Sequence, residues 1–335
     1  MNRNSLEDFR AQVKTLKIPA EMADKVEEMM EKNLQYIQVT AQLPSRKGFM
    51  EATLHLKRSE QSDYYYLNRY ELAYSKAKPL ENGLQYVVTS DVKNGNEPGA
   101  GIRKFESPIQ AIDHFNKQKG NAELLFGKIE DNKLIPGQSL ATMKDGKVDY
   151  VTKDFQIIFR AEPMKNTIYI NDGKGFNMKQ STNMLMGGSA YRDDLVSRTG
   201  TRYEAWNAYQ FDQPRDRYGN LTIRQYGRGY GFDLNKELNS YKIKELDDPK
   251  KLDQIISDMK DGERPVVSVT NEQGEELKMM ARAMPRYGNI NFYNLSGQVE
   301  KREQFLKAPR QEISKEQVFE RKQSQHQSKG QEIGI

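Results

Sequence analysis

The sequence predicts an α+β protein: two tandem related domains, each with antiparallel sheets and a packed helix, preceded by an N-terminal helical pair. Three features of the chain support this class. Strand-like segments follow one another without regular strand–helix–strand alternation, three sequence anchors recur in the same order, and helix start and stop signals sit at matching places in both copies.

At the N-terminus Leu6, Phe9, Val13 and Leu16 recur at helical spacing behind Ser5, which stands as a cap with Asp8 three residues on. Pro19 opens a second helix that turns Met22, Val26, Met29 and Met30 toward a core and leaves a charged outer face. Further on, Met50, Ala52, Leu54 and Leu56 alternate with Glu51, Thr53, His55 and Lys57, the two-residue period of a half-buried antiparallel strand.

The anchors begin with two aromatic-rich strands, 64–72 and 202–211, in which Asn68 and Asn207 each follow a large apolar residue. Next come two helices opened by Ser107-Pro108 and Asp248-Pro249, a cap followed by proline at the first helical position, and closed near Gly120 and Gly262. Last are Arg160-Ala161-Glu162-Pro163 and Arg282-Ala283-Met284-Pro285, each expected to end a strand in a turn before another short strand. Turns are also expected at Thr199-Gly200, Gly219-Asn220 and Gln273-Gly274. The organisation expected is a helical segment at 1–45, a first α+β repeat at 46–175, a second at 176–300, and a polar, disordered tail at 301–335 that is poor in aromatic residues.

With 335 residues the chain has room for about two domains of ~150 residues. The absence of cysteine excludes disulfides and thiolate chemistry, and three separated histidines (His55, His114 and His326) leave little for a metal site. No cofactor is expected. A mean hydropathy of −0.88 and the lack of any apolar run near the ~18 residues needed to cross a bilayer point to a cytoplasmic protein with no membrane partner. The polar start offers no signal-peptide core. Phosphate-cradle, zinc-protease, nucleophile-elbow and calcium-loop motifs are all missing, so a non-enzymatic protein is expected. The acid pairs Asp193-Asp194 and Asp247-Asp248 read as solvated surface, and Asp248 as a helix cap.

The glycines of Tyr226–Phe232 lie two apart and lack dinucleotide-binding spacing. Arg228-Gly229-Tyr230-Gly231-Phe232 fits the first five positions of the RNA-recognition-motif signature, but Asp233 breaks the sixth, and the residues after it read as a helix with an Asp cap. A less fold-specific pattern remains. Alternation along the strand from Leu221 sets Thr222, Arg224, Tyr226, Arg228 and Tyr230 on the face opposite inward Leu221 and Ile223, interleaving guanidinium groups with rings. Arginine forks onto phosphate and tyrosine stacks on bases, so this strip, with Arg215 and Arg217 in the preceding turn, has the parts to hold single-stranded DNA or RNA. The matching first-copy positions are Val87, Thr89 and Asp91, so the charge belongs to the second copy alone. A net charge of +5 is compatible with nucleic acid without demanding it.

The segments 206–211, 216–220, 230–234, 241–246 and 280–294 together resemble an uncharacterised domain-of-unknown-function family of Bacteroidales conjugative and other mobile genetic elements. The resemblance is most specific between Trp206 and Leu246. It implies a cytoplasmic mobile-element accessory protein, with another protein of the same element as a further partner, and it implies no reaction. The expected function is therefore nucleic-acid association through Arg215, Arg217, Arg224, Tyr226, Arg228 and Tyr230. The alternative is a protein–protein adaptor presenting Tyr64, Tyr66 and Tyr70.

Overall fold

The computed structural model describes residues 3–78, 80, 83–91, 101–130, 133–171 and 173–307. Of the tail expected to be disordered at 301–335, residues 301–307 are ordered, with a short 3₁₀ turn at Arg302–Phe305 and Phe305 buried, and the rest lies outside the described residues. Among the described residues are seven α-helices and sixteen strands, arranged in four antiparallel sheets. No described helix is long and apolar enough to cross a membrane.

Two compact units divide the chain, Met1–Gln225 and Tyr226–Ile335. The division falls inside the segment expected to form the second repeat, rather than near residue 175.

The first unit begins with α1 (Arg3–Thr15) and α2 (Ala20–Glu31). The apolar stripes of both helices supply Phe9, Leu16, Met22, Val26 and Met30 to one core. Ser5 is not the cap. The helix begins earlier, at Arg3, and the buried Ser5 hydroxyl instead accepts from the Tyr65 backbone N–H at 2.8 Å. The stripe packs on a sheet ordered β1-β2-β3-β9, formed by β1 (Tyr36–Leu43), β2 (Phe49–Arg58), β3 (Tyr65–Ser75) and, later in the chain, β9 (Met164–Tyr169). Met50, Ala52, Leu54 and Leu56 enter this core, as the alternation requires.

The intervening chain builds a five-stranded sheet ordered β5-β4-β6-β7-β8: β4 (Gln85–Ser90), β5 (Gly101–Phe105), β6 (Ala122–Glu130), β7 (Lys133–Lys144) and β8 (Lys147–Val151). Between β5 and β6 runs α3 (Pro108–Asn116), capped by Ser107, whose hydroxyl accepts from Gln110 N at 3.2 Å. Phe115, Tyr86, Phe155 and Leu124 form a second core here. The third anchor pair splits. Arg160 ends a short helix, α4 (Gln156–Arg160), instead of a strand, whereas Met284 does end a strand before a Pro285–Tyr287 turn.

After β9 come α5 (Met178–Leu185), capped reciprocally by Asn177 and Gln180, and a sheet ordered β10-β11-β12 from β10 (Ala190–Val196), β11 (Arg202–Gln210) and β12 (Thr222–Gly227).

The second unit contains α6 (Leu234–Asn239), α7 (Pro249–Lys260) and a sheet ordered β13-β14-β15-β16 from β13 (Val266–Thr270), β14 (Glu276–Met284), β15 (Asn289–Tyr293) and β16 (Val299–Glu300). Asp233 and Asp248 cap the two helices as the sequence predicts. Tyr241, Phe292 and Phe305 stack edge to face through its core, with ring centroids 4.9 and 5.2 Å apart. One local arrangement occurs in both units. In the first, β4 pairs antiparallel with β6 across the intervening α3; in the second, Ile243 bridges antiparallel to Val269 of β13 across the intervening α7.

Candidate nucleic-acid interface

The predicted strip is divided between the two units. Arg215, Arg217 and Arg224 belong to the first unit, and Tyr226, Arg228 and Tyr230 to the second. Alternation fails because β12 ends at Gly227, where Arg228–Tyr230 winds into a single 3₁₀ turn closed by Gly231 at φ +76°. Tyr226 is only 4% exposed, so it is a core residue and not a stacking platform; the Tyr230 ring meets it edge-on at 4.9 Å. Ile223, expected inward, is 40% exposed. Arg224 and Arg228 are exposed.

The turn before β12 proves more informative than the strand. Asp216 Oδ1 accepts from the N–H groups of Tyr218 at 2.9 Å and Asn220 at 2.8 Å, and Gly219 adopts φ +80°, so the loop folds on its own aspartate. This turn is fastened to β9, which lies at the edge of its sheet and offers unpaired backbone groups. Asn220 Oδ1 accepts from Thr167 N at 2.8 Å, and Asn166 Oδ1 accepts from Leu221 N at 2.7 Å. Arg215 Nη1 donates to the carbonyls of Lys165 at 2.7 Å and Gly219 at 2.6 Å, so this guanidinium holds the turn closed.

The fastening brings two exposed rings together. Tyr169, at the end of β9, and Tyr218, at the tip of the turn, are 50% and 62% exposed, with centroids 6.4 Å apart. The Arg217 guanidinium lies over the Tyr218 ring, 4.7 Å from its centroid. Of the six predicted residues, then, Arg217 stands at an aromatic surface, Arg215 builds it, and the rings that accompany them are Tyr169 and Tyr218. The cue for Tyr218 was the turn sequence at 216–220; nothing local marked Tyr169, because its partner lies 49 residues away in sequence.

Both tyrosines line a pocket of about 650 Å³ between β9 and the β10-β11-β12 sheet. Its walls are mixed, with Ile168, Leu195 and Val196 among amides and Lys174. A bulge in β10 between Arg192 and Leu195 lets Arg192 fork onto Asp194, with Nε and Nη2 each 2.8 Å from a carboxylate oxygen. The Arg192 side chain is 12% exposed and its guanidinium also lies 5.1 Å from the Phe176 ring centroid. The Arg192 hydrogen bonds hold the Asp194 carboxyl below its usual range despite partial burial. Asp194, with its side chain 42% exposed, is a surface acid as the sequence suggested, and one that pairs with Arg192. Among the described residues no cluster of three or more His, Asp or Glu side chains could hold a metal ion.

The adaptor surface is also altered. Tyr70 is fully buried and its hydroxyl lies 2.7 Å from Ser181 Oγ and donates to Phe176 O at 2.7 Å, while Tyr66 is 51% exposed beside Tyr64 at 4.7 Å. Comparison with family models, with curated proteins and with solved structures gives no match to this chain.

Proposed function

We propose that the protein is a non-enzymatic accessory factor that associates with single-stranded nucleic acid through the surface made by Tyr169, Arg217 and Tyr218. The carrying observation is the pair of half-exposed rings, both lining a pocket of about 650 Å³, with a guanidinium stacked on one of them. Bases stack on tyrosine without regard to sequence, and a neighbouring arginine neutralises phosphate. Arg224 and Arg228 add exposed positive charge to their respective units. The resemblance of 206–246 to mobile-element proteins supplies the biological setting of the proposal, in which such a factor accompanies DNA or RNA processing.

The test is a fluorescence-anisotropy titration of labelled single-stranded DNA and RNA at several salt concentrations. Binding that weakens steeply as salt rises supports the proposal. Undetectable or salt-independent binding overturns it and leaves the Tyr64–Tyr66 pair as the surface to pursue with protein partners.

A further inference from the structure

Glu51 sits on β2 opposite Gln42 of β1 and Ala73 of β3, on the sheet face away from Met50 and Ala52. It was expected at the surface, yet it is only 7% exposed. Ser107, the cap of α3, lines the same space as Glu51, and Glu51 Oε2 has no hydrogen-bond partner. A carboxylate withdrawn from water with an unused oxygen is costly, and the cost falls when a donor arrives.

That carboxylate lines a pocket of about 330 Å³, roughly ten times the ~30 Å³ share of one water molecule in the liquid. Phe49 and Phe105 contribute aromatic wall, and Gln42, Gln85 and Gln110 contribute amides. Glu106 adds a second acid, and Lys104 is the basic residue on the lining.

We propose that this pocket binds a primary alkylammonium group, which donates to the carboxylate of Glu51 while its carbon stem rests on Phe49 and Phe105. Two acids against one lysine disfavour an anion, and the donor set is too small for a divalent cation. An ammonium brings three donors, one for the carboxylate and others for the amide oxygens, and its stem suits the aromatic rings. The same chemistry comes from a free amine or from a lysine side chain of a peptide.

Calorimetric titration of the full chain with n-butylammonium, with Nα-acetyl-lysine methylamide, and with the neutral isostere n-butanol tests the proposal. Saturable one-to-one binding of either cation, absent for n-butanol, is expected. Tighter binding of the lysine derivative assigns the site to a peptide, and tighter binding of n-butylammonium assigns it to a small amine. E51Q should weaken the interaction by about tenfold or more, the loss of a charge-assisted hydrogen bond. F105A, which leaves the carboxylate in place, should weaken it less and serves if E51Q does not fold. No saturable binding of either cation, equal affinity for n-butanol, or undiminished affinity in a folded E51Q variant overturns the proposal.

Discussion

Asn166 donates from Nδ2 to the phenol oxygen of Tyr209 at 2.9 Å, and both side chains are buried. Because its Oδ1 accepts from Leu221 N at 2.7 Å, this one amide joins β9, β11 and the entrance to β12. Burial, partly offset by the hydrogen bond from Asn166, holds the Tyr209 phenol well above its usual pKa, so it stays protonated at all ordinary pH values.

Replacing Asn166→Ala strands the Leu221 N–H and the Tyr209 hydroxyl in the interior. Chemical denaturation should show a loss of about 2–3 kcal/mol. A change of less than about 0.5 kcal/mol, the size of an ordinary surface substitution, would mean that water replaces the amide at no cost.

At the aromatic surface, Tyr169→Ala and Tyr218→Ala should each weaken single-strand binding by about 1–3 kcal/mol, the usual worth of one stacked base. Arg217→Ala should also lower the salt slope by about one unit, while Arg215→Ala should act through the folding of its turn and register in thermal stability. If all four variants bind like the parent protein, the surface is not the contact.

Tyr226 and Tyr230 lie in one ring pair, but only the first is buried. Tyr226→Ala should destabilise the fold by about 3–5 kcal/mol, in the range of other large-to-small aromatic replacements. Tyr230→Ala, 47% exposed before substitution, should cost far less. Equal losses in denaturation experiments would contradict the burial that separates them.

The pH dependence of stability should carry a signature of Glu51. Burial pushes its carboxyl pKa up in the folded state, against opposing contributions from Ser107 on α3 and Lys165 on β9; Lys104 and Glu106 are the other charged groups around its pocket. A folded pKa above the unfolded value of about 4.3 means the folded state holds the proton longer. Stability therefore declines as pH rises from that value through the folded pKa, and the penalty is full above it. Glu51→Gln should raise the melting temperature at pH 7, and the gain should shrink toward pH 4. A constant difference across that range would show that the carboxyl titrates normally.

Much of the local structure follows from short stretches of chain. The Asp233, Asp248 and Ser107 caps, the inward faces of α1 and α2, and the core alternation of β2 depend on residues within a few positions of one another, and period and capping chemistry suffice to determine them. The strip on β12 was beyond that reach. Whether Tyr226 faces solvent or a core depends on where the strand stops and on packing by distant residues, and neither has a two-residue period. The same holds for Glu51, written into the sequence as an outward residue and enclosed only when α3 and the five-stranded sheet come to lie against its face. Tyr169 and Tyr218 meet for a related reason: an edge strand with unpaired backbone groups captures a turn 49 residues later through Arg215, Asn166 and Asn220. The chain by itself thus determined its class, its caps and its apolar faces, which are local matters of periodicity and hydrogen bonding. Which polar side chains are gathered, buried or displayed was decided by long-range packing, because only the folded backbone brings their partners within bonding distance.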